Sequence, residues 1–280
     1  MQSAANTTVF AWAAVIYFLS ALIYIAAAPG KRENWLKTAA YSAWAGFALH
    51  TFALALRWIE SYRMGIGHAP LSNFYESIVF LAWAGVLFSL VMERRSVGVP
   101  GVFILPAASL VMFYASFSSG IERGIQPLAP VLRSNWLASH VISCLMGYAS
   151  FAVACGLGVM LLAGERKIRA GGPSGKFMPD AARLDELIYC SLVLGFILLS
   201  IGIAAGSVWA HSAWGTYWSW DPKETWSLIT WIVYAAALHL RLSRGWQGKR
   251  TAALAILGFI SVLFTYLGVN FLPGLHSYLN

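Results

Sequence analysis

The sequence predicts an all-α membrane protein, a polytopic bundle of about eight transmembrane helices with both termini outside. Its composition supports this class, because 59% of the residues are hydrophobic and only 11% are charged, whereas soluble domains carry about 25% charged residues. Several apolar runs approach the roughly 20 residues that a helix needs to cross a bilayer. A transmembrane β-barrel would instead show short segments of alternating polarity. We therefore expect one integral membrane domain over residues 1–280.

Eight apolar segments are the predicted spans. They lie approximately at 9–28, 38–58, 74–92, 101–118, 136–163, 186–210, 223–242 and 252–271. The fourth contains Pro106, which packed membrane helices tolerate. Positive charges follow the first span and do not precede it, so we interpret this span as an anchor and not as a cleaved signal peptide. The glycines and prolines of segment 117–136 disfavour a long helix there.

Positive charges are concentrated in alternate loops. Fourteen of the 19 lysines and arginines lie there: three in 29–37, two directly after the third span, five in 164–185 and four in 241–251. By the positive-inside rule these loops face the cytoplasm. Both termini then lie outside, which requires an even number of spans. The formal net charge of +8 is thus a signal of topology and implies no nucleic-acid partner.

The three cysteines fall within predicted spans and form no C-x-x-C motif. They are Cys144, Cys155 and Cys190. This spacing offers no redox or zinc motif. We interpret all three as small apolar packing residues.

The stretch WGTYWSWDPKETW, residues 214–226, lies between the sixth and seventh spans and carries four of the 13 tryptophans. Asp221, Pro222 and Glu224 fit the N-cap, first residue and capping-box acid of a helix. Tryptophan also collects at membrane interfaces, which is the alternative interpretation of the aromatic residues. Their crowding favours a platform for a large planar ligand such as haem, over which aromatic rings stack.

Haem also requires axial ligands, and histidine is the usual one. Four of the six histidines map to the predicted outer face. They are His68, His140, His211 and His276. His239 lies in the seventh span, roughly 27 Å deeper than Asp221 at 1.5 Å per residue, and His50 lies within the second span. Ionisable residues inside a membrane are candidates for function, with a hydrogen bond between helices as the alternative for both.

Three motifs together resemble those of a known family. WGTYWSWDP resembles the signature of the WWD family of haem-handling membrane proteins. GHAPLSNFYES at 67–77 and GLHSY at 274–278 resemble the CcsA-type (ResC-like) cytochrome c biogenesis protein. The resemblance implies that His140 and His276 ligate one haem b outside, and that His239 holds haem lower in the membrane.

The resemblance also implies a function and partners. It implies that haem is presented at the outer face, attached to the CXXCH motif of apocytochrome c, and also translocated. On this expectation the chain is the haem-handling subunit of a holocytochrome c synthase (haem lyase). Implied partners are a CcsB/ResB-type membrane subunit, apocytochrome c, a thiol-reducing thioredoxin-like protein and the lipid membrane. The implied membrane is the bacterial inner membrane, with the active face to the periplasm, or the thylakoid membrane of a plastid. A haem carrier or exporter without attachment activity is the alternative, and a structural or quinone-binding subunit is a third possibility.

An external tryptophan loop, about 209–226, is the predicted haem platform. We expect Trp214, Trp218 and Trp220 to support the ring, and Asp221 to fix the loop onto the seventh span. The haem propionates require cations. The cations on the predicted outer side are Arg57, Arg63, Arg133 and Lys223. The sequence does not choose among them.

Overall fold

The computed structural model describes residues 4–27, 33–93, 100–169 and 180–273. Within these ranges the chain forms eight α-helices and no strand, which confirms the all-α class. The helices are α1 (Ala4–Ala27), α2 (Glu33–Arg63), α3 (Phe74–Glu93), α4 (Gly101–Phe117), α5 (Asn135–Arg169), α6 (Ala181–Trp214), α7 (Pro222–Arg244) and α8 (Lys249–Tyr266). Each of them overlaps one of the eight predicted spans.

Six segments of the described chain are long and apolar enough, by length and composition, to cross a membrane. They are α1, α2, α3, α5, α6 and the stretch from α8 through a short 3₁₀ turn, Gly268–Phe271. Helix α4 is apolar but has only 17 residues, with Pro106 inside it. Helix α7 has 23 residues and carries charged side chains at both ends. These features confirm a polytopic membrane helical bundle, while the outside position of both termini stays a prediction.

The described helices form two compact units, one reaching to Arg133 and one beginning at Ser134. In the first unit, α1 packs against α2 and α4, and α3 packs against α4. In the second, α5 packs along α6 and α8, while α7 contacts α8 and α6. The expectation of one domain over 1–280 stays a prediction.

A buried ion pair organises the first unit. The Arg57 guanidinium donates from Nε to Glu76 Oε1 at 2.7 Å, and both side chains are almost fully buried. Its Nη1 donates to Asn6 Oδ1 at 3.2 Å, and its Nη2 donates to the carbonyl oxygens of Arg123 (3.0 Å) and Gly124 (3.3 Å). The guanidinium therefore joins α1, α2 and α3 to the segment that follows α4.

The GHAPLSNFYES motif holds that same segment. His68 is buried, with Nε2 at 2.9 Å from the Gln126 carbonyl oxygen, and Asn73 Nδ2 donates to the Gly124 carbonyl oxygen at 3.3 Å. The segment between α4 and α5 contains one 3₁₀ turn, Pro130–Leu132, and no α-helix. The predicted absence of a long helix at 117–136 is thus confirmed for the stretch between these two helices.

Two stacked rings fill the centre of the second unit. Phe151 of α5 lies parallel to Tyr234 of α7, with ring centroids 3.5 Å apart. Glycines flank the pair, because a Cβ on Gly195 of α6 would lie 2.5 Å from the Phe151 ring, and one on Gly258 of α8 would lie 2.7 Å from the Tyr234 ring. Small residues at such positions let membrane helices approach closely.

A polar junction ties together the other end of the second unit, where α6 begins and α7 ends. Arg241 donates to both carboxylate oxygens of Asp185, at 2.9 and 2.7 Å. Asp185 Oδ1 also accepts from the backbone N–H of Gly248 at 2.7 Å, directly before α8. This bidentate pair fixes α6, α7 and α8 at the end opposite the tryptophan loop.

Candidate functional site

The tryptophan loop is shaped by the end of α6 and the start of α7, so only residues 215–221 are non-helical. Gly215 ends α6 with φ 79° and donates its N–H to the His211 carbonyl oxygen, a left-handed cap that glycine adopts readily. Asp221 Oδ1 accepts from Lys223 N at 3.0 Å, and Glu224 Oε2 accepts from Asp221 N at 3.3 Å. The predicted capping box is therefore confirmed.

The tryptophan rings of this loop lie at steep angles to one another. Trp218 and Trp220 meet edge to face, 5.8 Å apart at 87°, and so do Trp209 and Trp214, 6.1 Å apart at 78°. Trp214 is 40% exposed and Trp220 is 69% exposed. The rings therefore do not share one plane, and Trp220 presents the most exposed indole of the loop.

Trp220 also carries backbone strain. Among the described residues other than glycine, it is the one with a positive φ, 59°. This conformation costs an L residue about 1–2 kcal/mol, and strained backbone of this kind clusters at ligand clamps and other functional sites. The strained residue is also the most exposed indole of the loop, as expected for a residue of a binding surface.

His140 lies near the start of α5 and contacts α6. Its Nδ1 is 2.7 Å from the carbonyl oxygen of Gly202. An acceptor at that distance places the proton on Nδ1, so the neutral ring keeps a lone pair on Nε2. The ring lies nearly parallel to Trp209, with centroids 6.4 Å apart at 13°. These contacts leave the lone pair of Nε2 as a ligand suited to a metal.

The structure accounts for Arg57, one of the four candidate cations, and assigns the other three to their units. Arg57 is buried, and its guanidinium is engaged by Glu76 and by backbone carbonyls, so it does not serve an external anion. Arg63 belongs to the first unit, as does Arg133, which donates to the Leu128 carbonyl oxygen. Lys223 lies in the first turn of α7, in the same unit as His140.

Of the other two predicted haem ligands, the structure describes His239, and it does not bring this residue together with His140. His239 is exposed on α7, roughly 27 Å along the helix from Asp221, and so lies near the polar junction at the opposite end. His276, with the GLHSY motif, lies outside the described residues. The paired clamp of His140 and His276 therefore stays a prediction.

Two other histidines each contact an aromatic side chain. His50 is fully buried in α2, and its Nδ1 lies 3.2 Å from the Tyr17 hydroxyl of α1. The alternative interpretation of His50, a hydrogen bond between helices, is thus confirmed. His211 stacks on Tyr217, with ring centroids 4.3 Å apart.

Two residues beside His140 were not anticipated from the sequence. Gly202 supplies the carbonyl acceptor, and Gly206 leaves space for the ring. The spacing of the two glycines, G-x-x-x-G, is a signal for close approach of membrane helices. The sequence does not show that His140 packs against these glycines, because His140 lies on α5, which is distant from them along the chain.

Removing the Asp221 cap will separate its structural role from an electrostatic one. Asp221→Ala should destabilise the second unit by about 1 kcal/mol, whereas Asp221→Asn should stay close to the parent, because asparagine caps helices as well as aspartate does. Unfolding midpoints in detergent micelles measure this difference. A loss of bound haem in Asp221→Asn at unchanged stability would show that the carboxylate acts beyond the cap.

Comparison with known proteins places the chain in a family. The family described as Cytochrome C assembly protein matches residues 71–276. The chain is 42% identical over 259 residues to the "Cytochrome c biogenesis protein CcsA" of Synechococcus sp. (strain CC9605), covering 82% of this chain and 83% of that protein. It is 40% identical over 250 residues to the protein of the same name from Mesostigma viride, covering 80% of each.

A solved structure shares the fold. The "Cytochrome c Heme Lyase CcmF" superposes with a TM-score of 0.74 at 17% identity, over 95% of this chain and 47% of that one. The chain thus spans about half the length of that protein, and the likeness concerns the fold alone. The family match and the relatives agree with the WWD and CcsA-type motifs in the sequence. The chain therefore belongs to the Cytochrome C assembly protein family, as a CcsA-type cytochrome c biogenesis protein.

Proposed function

We propose that this chain binds haem b beside the tryptophan loop, presents it at the outer face of the membrane, and takes part in its attachment to the CXXCH motif of apocytochrome c. Cytochrome c biogenesis by an integral membrane protein follows from the family. The observation that carries the finer proposal is the orientation of His140, whose Nδ1 is bound to the Gly202 carbonyl oxygen. Histidines that ligate metals are typically held in this way through their second nitrogen.

The surroundings of His140 fit a flat, anionic ligand with an apolar ring. The exposed indoles of Trp214 and Trp220 offer apolar area at the same end of the unit. The Trp218 indole nitrogen is buried and has no acceptor among the residues that the structure describes, so it is available to a carboxylate. Lys223, at the start of α7, supplies a positive charge at this end of the unit, which favours the propionates. His276, from the GLHSY motif, is the proposed second axial ligand.

The chemistry that this arrangement would serve is thioether formation. Each CXXCH thiol adds across one haem vinyl group, its sulfur to the carbon next to the ring and its hydrogen to the terminal carbon, with no net oxidation or reduction. A thioredoxin-like protein keeps the two thiols reduced. The part of this chain is to hold the ring by its iron, faces and propionates, so that the vinyl edge stays open. Fixing two reactants in this way supplies most of the rate in such a reaction.

His239 marks a proposed earlier station on the route of haem. Its side chain is exposed on α7, away from the core of the second unit. An ionisable group on a membrane helix is costly unless it faces a partner, a cavity or a ligand. We assign it to haem held between this chain and a CcsB/ResB-type subunit, in a bacterial inner membrane or a thylakoid membrane.

Reconstitution with the partner tests attachment. The chain is co-expressed with a CcsB/ResB-type subunit and a reporter cytochrome carrying CXXCH, and a reporter carrying SXXSH is the matched control. We expect haem in the purified complex, and haem that stays on the CXXCH reporter alone in a denaturing gel. Haem in the complex without a covalent product would favour the alternative function, a haem carrier or exporter without attachment activity. A complex without haem absorption would reject both and favour a structural or quinone-binding subunit.

A further inference from the structure

The side of α6 that faces His140 is built from two glycines one helical turn apart. A Cβ on Gly206 would lie 2.5 Å from His140 Nδ1 and 2.8 Å from its Cε1. Both distances are too short for real atoms, so any side chain at 206 would displace the imidazole. One on Gly202 would lie 2.5 Å from the sulfur of Cys144, which follows His140 by one turn of α5. The imidazole occupies this place because position 206 lacks a side chain, while the missing side chain at 202 makes room for Cys144 of the same α5 helix.

The carbonyl of Gly202 has two donors directed towards it. In an α-helix the carbonyl of residue i accepts from the N–H of residue i+4, which here is Gly206. His140 Nδ1 reaches the same oxygen from α5 at 2.7 Å. The missing side chain at 206 opens the approach to this oxygen, so the two glycines act together on one ring.

We infer that Gly202 and Gly206 are positioning residues for His140, which set the direction and the protonated nitrogen of the imidazole that ligates haem iron. This inference rests on the proposed function. A hydrogen bond to the second nitrogen fixes the ring orientation and raises the basicity of the ligating nitrogen. The pair would therefore control both how tightly the iron is held and its reduction potential.

Ordinary helix packing is the competing explanation, and α6 contains a matched control for it. A Cβ on Gly195 would also lie 2.5 Å from a ring of α5, but that ring is Phe151, in the core. Gly195 and Gly206 thus present the same clash on the same pair of helices. Only one of the two rings is a proposed ligand.

The test compares Gly206→Ala with Gly195→Ala in the complex with the partner subunit. Haem per folded molecule, the visible spectrum and the reduction potential are measured for each. We expect Gly206→Ala to retain roughly 10- to 100-fold less haem, the loss typical of residues behind a metal ligand, and added imidazole to restore part of it. Gly195→Ala should lower the unfolding midpoint, while its folded fraction keeps the parent spectrum and potential.

A double variant guards against a simple failure to fold. In the parent, Gly206→Ala should lower the unfolding midpoint through its clash with the imidazole. In the His140→Gly background the ring is absent, so the same change should leave the midpoint unchanged. Gly206→Ala with the parent spectrum and potential would overturn the inference, as would equal haem loss in both alanine variants without rescue by imidazole. A parent complex without haem would reject the proposed function itself. The effect of His140→Gly on the unfolding midpoint of Gly206→Ala can be measured without haem, so the two failures can be told apart.

Discussion

Replacing His140 by glycine will strip haem from the tryptophan-loop end of the protein and stop the formation of holocytochrome c. The imidazole is the only group in this region that the structure shows with a backbone-fixed Nδ1 and a lone pair left on Nε2. Losing the proposed bond between His140 and the iron should lower haem retention by more than the roughly 10- to 100-fold expected for a residue behind a ligand. We therefore expect haem retention to fall by more than about 100-fold, measured from the visible spectrum of the purified complex.

Imidazole added to the medium should restore part of this loss, because glycine leaves a space where the ring had been. The matched control is His211→Gly, which removes another histidine of the tryptophan loop, one that stacks on Tyr217. It should leave the spectrum unchanged. If His140→Gly keeps its haem and matures cytochrome c as well as His211→Gly does, His140 is not a ligand.

Much of the fold follows from local patterns along the chain. Apolar runs predicted all eight helices, since the length of a helix in a membrane is set by the thickness of the bilayer. The residues Asp221, Pro222 and Glu224 predicted the start of α7, because a capping box is made within four residues. Both signals are confined to one segment and need no knowledge of its neighbours.

Contacts between distant segments could not be predicted in this way. Arg57 was one of four candidate cations for an external anion, yet it is buried against Glu76 of another helix. Charge type and span order indicate the side of the membrane on which a residue lies, and they do not indicate its burial. The bond between His140 and Gly202 joins residues 62 positions apart. The G-x-x-x-G spacing predicts a close helix approach but does not identify the residue that enters it.

The ion pair of Arg57 and Glu76 should be the most costly one to break. Arg57→Met leaves the carboxylate of Glu76, 2% exposed, without a cation and with only the N–H and hydroxyl of Ser72 near its other oxygen, at 2.7 and 2.8 Å. Removing one partner of a buried pair costs about 3–5 kcal/mol. We expect the free energy of unfolding to fall by that amount, measured by denaturation of the purified chain in detergent micelles.

Lys37→Met is the matched control, because it removes a cation from an ion pair on the same helix. That pair, with Glu33 at 2.8 Å, is exposed, with 59% of the Lys37 side chain accessible, and such pairs contribute little. The double variant Arg57→Met, Glu76→Met should recover part of the loss, since no buried charge remains. Recovery should stay incomplete, because Asn6 Oδ1 and the carbonyl oxygen of Arg123 lose the donors that Arg57 supplies, and buried acceptors without partners are costly. Equal shifts for Arg57→Met and Lys37→Met would show that burial does not strengthen the pair, and that the segment before α5 is held by other contacts.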